Sequence, residues 1–279
     1  MLLREVSYAR PGTIEEALSL LAEHDGARAL AGGQTLVNVM KQRAASPDVL
    51  VDLAKLGELR EITVSGQTLE IGAMATLTAI TRSSEVEVSR PILGEVAATV
   101  ADVQVRNRGT LGGNICVNDP TNHFPPLLVA LDATMTIRNS GGERTVPAEE
   151  FFVGVFETAV GVGDLLTRIS VPAGGGDGMS GVTLGVHGTY VANAAASVVD
   201  GSWRIVLGCV AAVPVRATTV EEQLDGADVT EEAVRAAVDG LGASLDPPSD
   251  VHASADYRRS LAETSVVRAV LQAAERAKG

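Results

Sequence analysis

The stretch Arg106-Asn107-Arg108-Gly109-Thr110-Leu111-Gly112-Gly113-Asn114 decides how the rest of the chain is read. It places three glycines, a hydroxyl, carboxamides and two guanidinium groups within nine residues. Glycine accepts positive φ and leaves its N–H uncovered, so Gly112-Gly113 predicts a loop whose backbone donors approach an anion. Thr110 and Asn114 add polar side chains on either side. A second stretch, Ala31-Gly32-Gly33-Gln34-Thr35, has the same character. Two such loops could clamp a diphosphate between them. Each is also what an ordinary turn looks like, and the chain holds 29 glycines, so neither is decisive alone. Neither is a Walker loop, and no G-x-G-x-x-G follows a strand, which argues against a Rossmann site.

With 279 residues the chain can bury about three quarters of its unfolded surface and is expected to form two domains. Hydrophobic residues make up 46% and charged residues 20%, the balance of a globular protein. Aromatics are only 3%, so Val, Ala and Leu must build the core. The apolar run 125–131 is too short to span a bilayer, and Met1-Leu2-Leu3-Arg4-Glu5-Val6 lacks a signal-peptide h-region. No integral membrane segment and a cytoplasmic location are therefore expected. The net charge of −13 speaks against nucleic acid but permits an anionic cofactor held by backbone N–H groups. Cys116 and Cys209 form no C-x-x-C, so an iron–sulfur cluster is not expected on this chain. His24, His123, His187 and His252 are scattered without H-E-x-x-H, so no metal site is assigned.

In chain order, Thr13-Ile14-Glu15-Glu16 reads as a capping box opening a helix with Ile14, Ala17, Leu18 and Leu21 inward. A strand over 28–31 leads into the first glycine loop, and Leu36, Val39 and Met40 predict a helix after it. Strands are expected over 48–53 and 61–64. The latter pairs with 68–72 through the turn Ser65-Gly66. Thr76 caps a short helix, and Pro91 opens another that runs to about residue 101. Further expectations are an apolar helix over 124–131, a hairpin of 133–138 with 144–146, a short helix over 149–153 and a strand over 164–171. Gly174-Gly175-Gly176-Asp177-Gly178 predicts a flexible boundary. Beyond it lie strands near 182–186, 190–199 and 203–213, with Asp200-Gly201 as a hairpin turn. Helices over 220–224, 231–241 and about 256–277 complete the chain.

With both loops in hand, the chain resembles the FAD-binding medium subunit of the molybdenum hydroxylases, the family of xanthine dehydrogenase and aerobic carbon monoxide dehydrogenase. The resemblance rests on Leu30-Ala31-Gly32-Gly33-Gln34-Thr35-Leu36 with Met40-Lys41-Gln42-Arg43, and on Gln104-Val105 followed by the opening stretch. Ile71-Gly72-Ala73-Met74, Leu207-Gly208-Cys209, Pro214-Val215-Arg216-Ala217 and Tyr257-Arg258-Arg259-Ser260-Leu261-Ala262 extend it over nearly the whole chain in the same order.

The resemblance implies an α+β protein. Residues 1–173 would form a p-cresol methylhydroxylase/vanillyl-alcohol oxidase-type FAD-binding domain, with subdomains of about 1–55 and 56–173. Residues 179–279 would form a small domain with a three-stranded antiparallel sheet. It implies that Ala31, Gly32, Gly33, Gln34, Thr35 and Leu36 hold the FAD pyrophosphate. Thr110, Gly112, Gly113 and Asn114 would hold it from the other side, with Ala101 nearby and Leu165 against a cofactor ring. His123 stands where relatives often carry an acidic residue, and it is carried as a cofactor contact. Many relatives have Lys and Arg just before the strand matching Tyr190-Val191-Ala192-Asn193, whereas 182–189 contains neither. The implied role is electron transfer. FAD on this chain takes electrons from a small [2Fe–2S] subunit, a large subunit carries the molybdopterin cofactor, and the assembly is a dimer of heterotrimers. No catalytic residue is then needed here. The alternative is a self-sufficient flavin oxidase or dehydrogenase of the same fold class.

Overall fold

The computed structural model describes residues 3–185 and 188–278. Met1, Leu2, His187 and Val186, the end of the strand expected near 182–186, lie outside the described residues. Strands Ser7–Ala9, Ala27–Leu30 and Val49–Asp52 make a parallel sheet with Val49–Asp52 at its centre. Helix Ile14–Glu23 crosses between the first two strands. Thr13 Oγ1 accepts the Glu16 amide at 3.2 Å, and Glu16 Oε2 accepts the Gly12 amide at 2.7 Å, which pins the first turn. Ile14, Ala17, Leu18 and Leu21 pack with Val49, Val51 and Leu53, the apolar face the 3.6-residue spacing anticipates.

The second layer is a five-stranded antiparallel sheet. Its order is Ile62–Ser65, Thr68–Gly72, Leu165–Pro172, Thr134–Asn139, Gly142–Pro147. Helices Leu77–Arg82, Pro91–Thr99, Leu111–Val117 and Phe124–Ala130 share its core, in which Leu93, Leu111, Ile115, Phe124 and Leu127 are fully buried. Helix Ser84–Ser89 and the small hairpin Phe152–Gly154 with Glu157–Thr158 are additions to the sequence reading. The helix expected over 149–153 is only Ala148–Phe151.

The last domain carries four strands rather than three: Gly176–Thr183, Tyr190–Val199, Ser202–Gly208 and the two-residue edge Val215–Arg216. Asp200 and Gly201 make the hairpin turn at φ 50° and 82°. Helix Ala255–Arg276, capped by Ser254 Oγ, lies across this sheet.

The expected flexible boundary is mostly strand. Only residues 173–175 are irregular, and Gly176, Asp177 and Gly178 are buried. A Cβ at Gly176 would stand 2.2 Å from the Ala273 carbonyl oxygen, and one at Gly178 would stand 2.1 Å from that of Ala269. Glycine is here because a helix rests on the strand backbone, a reason that composition alone does not reveal. Arg90, 2% exposed, then ties the domains together: it donates to the Pro172 carbonyl at 2.6 Å and to Asp177 at 2.6 Å. Burial raises the Asp177 carboxyl pKa against the opposing pull of Arg90.

Candidate functional site

The first glycine loop leaves the C-terminal end of strand Ala27–Leu30 and turns at Gly33, whose φ is 71°. Among the described residues, the amides of Gly32, Gly33, Gln34, Thr35 and Leu36 donate to no protein acceptor. The loop's carbonyls, by contrast, are engaged. Gly32 accepts from Gln34 Nε2 at 3.1 Å, Gly33 from the Val37 amide at 3.2 Å, and Thr35 from the Val39 amide at 3.0 Å. A run of open donors with its acceptors occupied is a nest for an anion.

The second stretch corrects the sequence reading. Gly112 and Gly113 are not in a loop; they lie in the first turn of helix Leu111–Val117, and neither takes positive φ. Their donors are spent inside the protein. Leu111 donates to Ala75 at 3.0 Å, Gly112 to Ala73 at 2.9 Å, and Gly113 to Thr110 Oγ1 at 3.0 Å. Thr110 is an N-cap, with its side chain turned to its own helix. These glycines serve close packing instead. A Cβ at Gly112 would stand 2.6 Å from the Ala73 oxygen, and one at Gly32 would stand 2.1 Å from the Arg108 oxygen. The two stretches therefore touch backbone to backbone, but only the first presents a run of free amides; in the second, among the described residues, the Thr110 amide alone lacks a protein acceptor.

A cleft of about 700 Å³ opens between the parallel sheet and the five-stranded layer. All of Ala31, Gly32, Gly33, Gln34, Thr35, Leu36, Thr110, Gly112, Gly113, Asn114 and Leu165 line it. That size lies within the usual range for cofactor clefts. Asn114 Oδ1 is buried in the cleft's lining with no hydrogen-bond partner. Open amides suit diphosphate oxygens, and an orphan acceptor suits a hydroxyl or a ring N–H, so the residues present fit FAD. Leu165, Val100 and Val160 supply apolar wall.

Two residues stand outside the lining. Ala101 takes φ 46° and turns its carbonyl to Arg106 Nη1 at 2.6 Å. His123 is 5% exposed, with its ring 4.4 Å from that of Tyr190 across the domain junction. Burial depresses its pKa to about 4, so it is neutral. Phe156, which the sequence reading passed over, lines the cleft from the tip of the small hairpin at φ 58°. Asn118 holds that hairpin, donating to Gly154 at 2.7 Å and Glu157 at 3.0 Å. An aromatic next to a turn, in a chain with four phenylalanines, was the available signal.

Among the described residues no group of His, Cys, Asp or Glu could hold a metal. Cys116 lines the cleft, but burial pushes its thiol pKa up to about 12, so it stays protonated. No helix among the described residues is long and apolar enough to cross a membrane.

Fold and cleft together define a mixed α+β protein built to hold an extended, diphosphate-bearing cofactor. Residues 4–174 match the family described as "FAD binding domain in molybdopterin dehydrogenase", and residues 186–273 match the "CO dehydrogenase flavoprotein C-terminal domain". The carbon monoxide dehydrogenase medium chain of Hydrogenophaga pseudoflava is 37% identical over 272 residues, covering 94% of this chain and 95% of its own. The glyceraldehyde dehydrogenase medium chain of Sulfolobus acidocaldarius is 33% identical, covering 97% and 99%. Among solved structures, quinoline 2-oxidoreductase from Pseudomonas putida 86 superposes with a TM-score of 0.95 at 34% identity and full coverage of both chains. The chain belongs to the family of FAD-binding medium subunits of molybdenum hydroxylases, and is a flavoprotein oxidoreductase subunit. Its FAD-binding part fits the p-cresol methylhydroxylase-type fold.

Proposed function

We propose that this chain is the electron-transfer flavoprotein of a three-subunit molybdenum hydroxylase. The observation that carries the reading is the run of open amides at Gly32, Gly33, Gln34, Thr35 and Leu36, residues that all line a cleft of cofactor size. These amides would hold the FAD pyrophosphate, and the orphan Asn114 Oδ1 would accept from the ribityl chain or flavin. Thr110, Gly112 and Gly113 act one step back. They pack the helix start so closely that Ala31 to Leu36 can curl around the cofactor. Leu165 and Phe156 keep water from its flanks.

Bound FAD would take electrons one at a time from a partner's [2Fe–2S] cluster and pass them to an external acceptor. Among the described residues lining the cleft, burial keeps the Cys116 thiol protonated, Arg144 and the Gly161 amide engage Asp164, and no group could hold a metal, which is consistent with a chain that orients a cofactor rather than attacks a substrate. The relatives named above carry three unrelated substrates in their names, while their matching chains keep about a third of these residues. That is consistent with substrate choice lying on another subunit. The working division is 1–173 for FAD, with subdomains of about 1–55 and 56–173, and 179–279 for the C-terminal domain. A cytoplasmic setting belongs to the same reading.

Purification from the native host tests it. The expected complex holds a small iron–sulfur subunit and a large molybdopterin subunit as a dimer of heterotrimers, and denaturation releases FAD rather than FMN. A lone chain that oxidises an organic substrate at full rate would defeat the proposal.

A further inference from the structure

A second cavity of about 520 Å³ also borders the first glycine loop, at the C-terminal ends of the parallel strands. Its lining includes Arg10, Lys41, Arg60 and Arg108; among the described residues lining it, Asp52 alone carries a carboxylate. Asp52 is already engaged, by Tyr8 through its hydroxyl and by Arg10 at 3.5 Å. Among the described residues, Lys41, Arg60 and Arg108 have no carboxylate within ion-pair distance; Arg60 donates only to the Ala54 carbonyl, at 3.0 Å. Asn107 Oδ1 accepts from Thr78 at 2.7 Å, and among the described residues its side-chain N–H groups have no protein acceptor.

This concentration of positive charge is out of keeping with a chain of net charge −13. Like charges gathered in one concavity repel one another, and the field they create there attracts counter-ions. A single carboxylate ligand would leave most of that charge unmatched, whereas a diphosphate matches it. Guanidinium groups also meet phosphate oxygens in paired hydrogen bonds.

We propose that this cavity is a second anion site, distinct from the FAD cleft, that takes the diphosphate of a small phosphorylated molecule. Lys41, Arg60 and Arg108 supply the charge from its lining. The two sites share the backbone of Gly32, Gly33 and Gln34, so an anion in one is felt across the loop in the other.

The test uses the full chain loaded with FAD and inorganic pyrophosphate as the probe, followed by calorimetry. The same titration is run on the apo-chain and on the assembled complex. Expected is saturable binding of one pyrophosphate to the FAD-loaded chain. Lys41→Gln combined with Arg60→Gln should weaken it by about tenfold or more while the flavin spectrum and FAD content stay unchanged. Arg108→Gln alone should weaken it as well, and covers the case in which the double variant folds poorly. Three results would overturn the inference. Pyrophosphate that binds only the apo-chain and is expelled by FAD would assign these cations to the FAD diphosphate. Binding that vanishes on assembly would make the cavity a subunit interface. Binding of wild-type strength in the variants would remove the cations from it. A chain that takes no FAD would defeat the flavin reading and leave the pyrophosphate titration to stand by itself.

Discussion

Adding one methyl at Gly32 should separate the two stretches that frame the cofactor cleft. A Cβ there would stand 2.1 Å from the Arg108 carbonyl oxygen and 2.9 Å from Gly109 Cα. Both are backbone atoms, so no side chain can rotate away and one loop must move by about an ångström. Overpacking of this kind costs about 1–3 kcal/mol. The displaced loop carries the open amides, and each charge-assisted hydrogen bond lost to the diphosphate costs about 1.5–3 kcal/mol. Gly32→Ala should therefore weaken FAD between about tenfold and a few hundredfold. Gly113→Ala is the control. Its Cβ would meet Thr110 Oγ1 at 2.8 Å, disturbing a cap worth about 1 kcal/mol. Alanine within a helix returns about the same amount, so the net change should stay within about 1 kcal/mol. Urea unfolding of the apo-chains and FAD titration by fluorescence quenching measure both. A folded Gly32→Ala chain that binds FAD as wild type does, or a larger loss in Gly113→Ala, would refute the reasoning.

Arg90→Leu should cost about 3–5 kcal/mol, because it strands the buried Asp177 carboxylate, and adding Asp177→Asn should restore part of that loss. A double variant no more stable than Arg90→Leu in denaturant melts would show that the ion pair is not what is lost. His123 supplies a pH signature. Its folded pKa of about 4 lies below the ordinary 6.5, so between these values the unfolded chain binds a proton that the folded chain refuses. Its contribution to stability is full above about pH 6.5 and falls as pH drops toward 4, by at most about 1.4 kcal/mol per unit. Stabilities of wild type and His123→Phe across that window should converge on acidification if Phe starts the weaker, or part with Phe the more stable if it starts equal. A difference independent of pH would place the neutral-histidine argument in error.

Local chemistry was legible in the sequence where it acts locally. Thr13 and Thr76 cap the helices that follow them, and Asp200-Gly201 turns its hairpin, because each effect spans only a few residues. The glycines were legible only in part. Gly33 needs its positive φ, as the loop reading requires. Gly112, Gly176 and Gly178 lie inside regular elements, and what demands glycine there is a carbonyl from a segment far along the chain. Propensity reads them as loop because the constraint is tertiary. The same blindness exchanged the roles of the two candidate loops. Only the register of Gly112 against Ala73 reveals that the Gly112 amide is already taken. Ala101 and His123 came from likeness to relatives; Ala101, half-buried with its carbonyl held by Arg106, and His123, buried against Tyr190, are not among the residues lining the cleft.

The contact of helix Ala255–Arg276 with Gly176 and Gly178 has a consequence for inheritance. Every missense change at a glycine codon adds at least a β-carbon, so these two codons have no neutral missense neighbour. Each such change drives a wedge between the helix and the strand that Asp177 anchors to Arg90. At Gly201, where an added Cβ meets open space, the burden is only the strained φ of a turn. Drift in this domain should thus be tolerated at the hairpin tip and purged along the first strand. The tract that looks cheapest to alter is among the costliest.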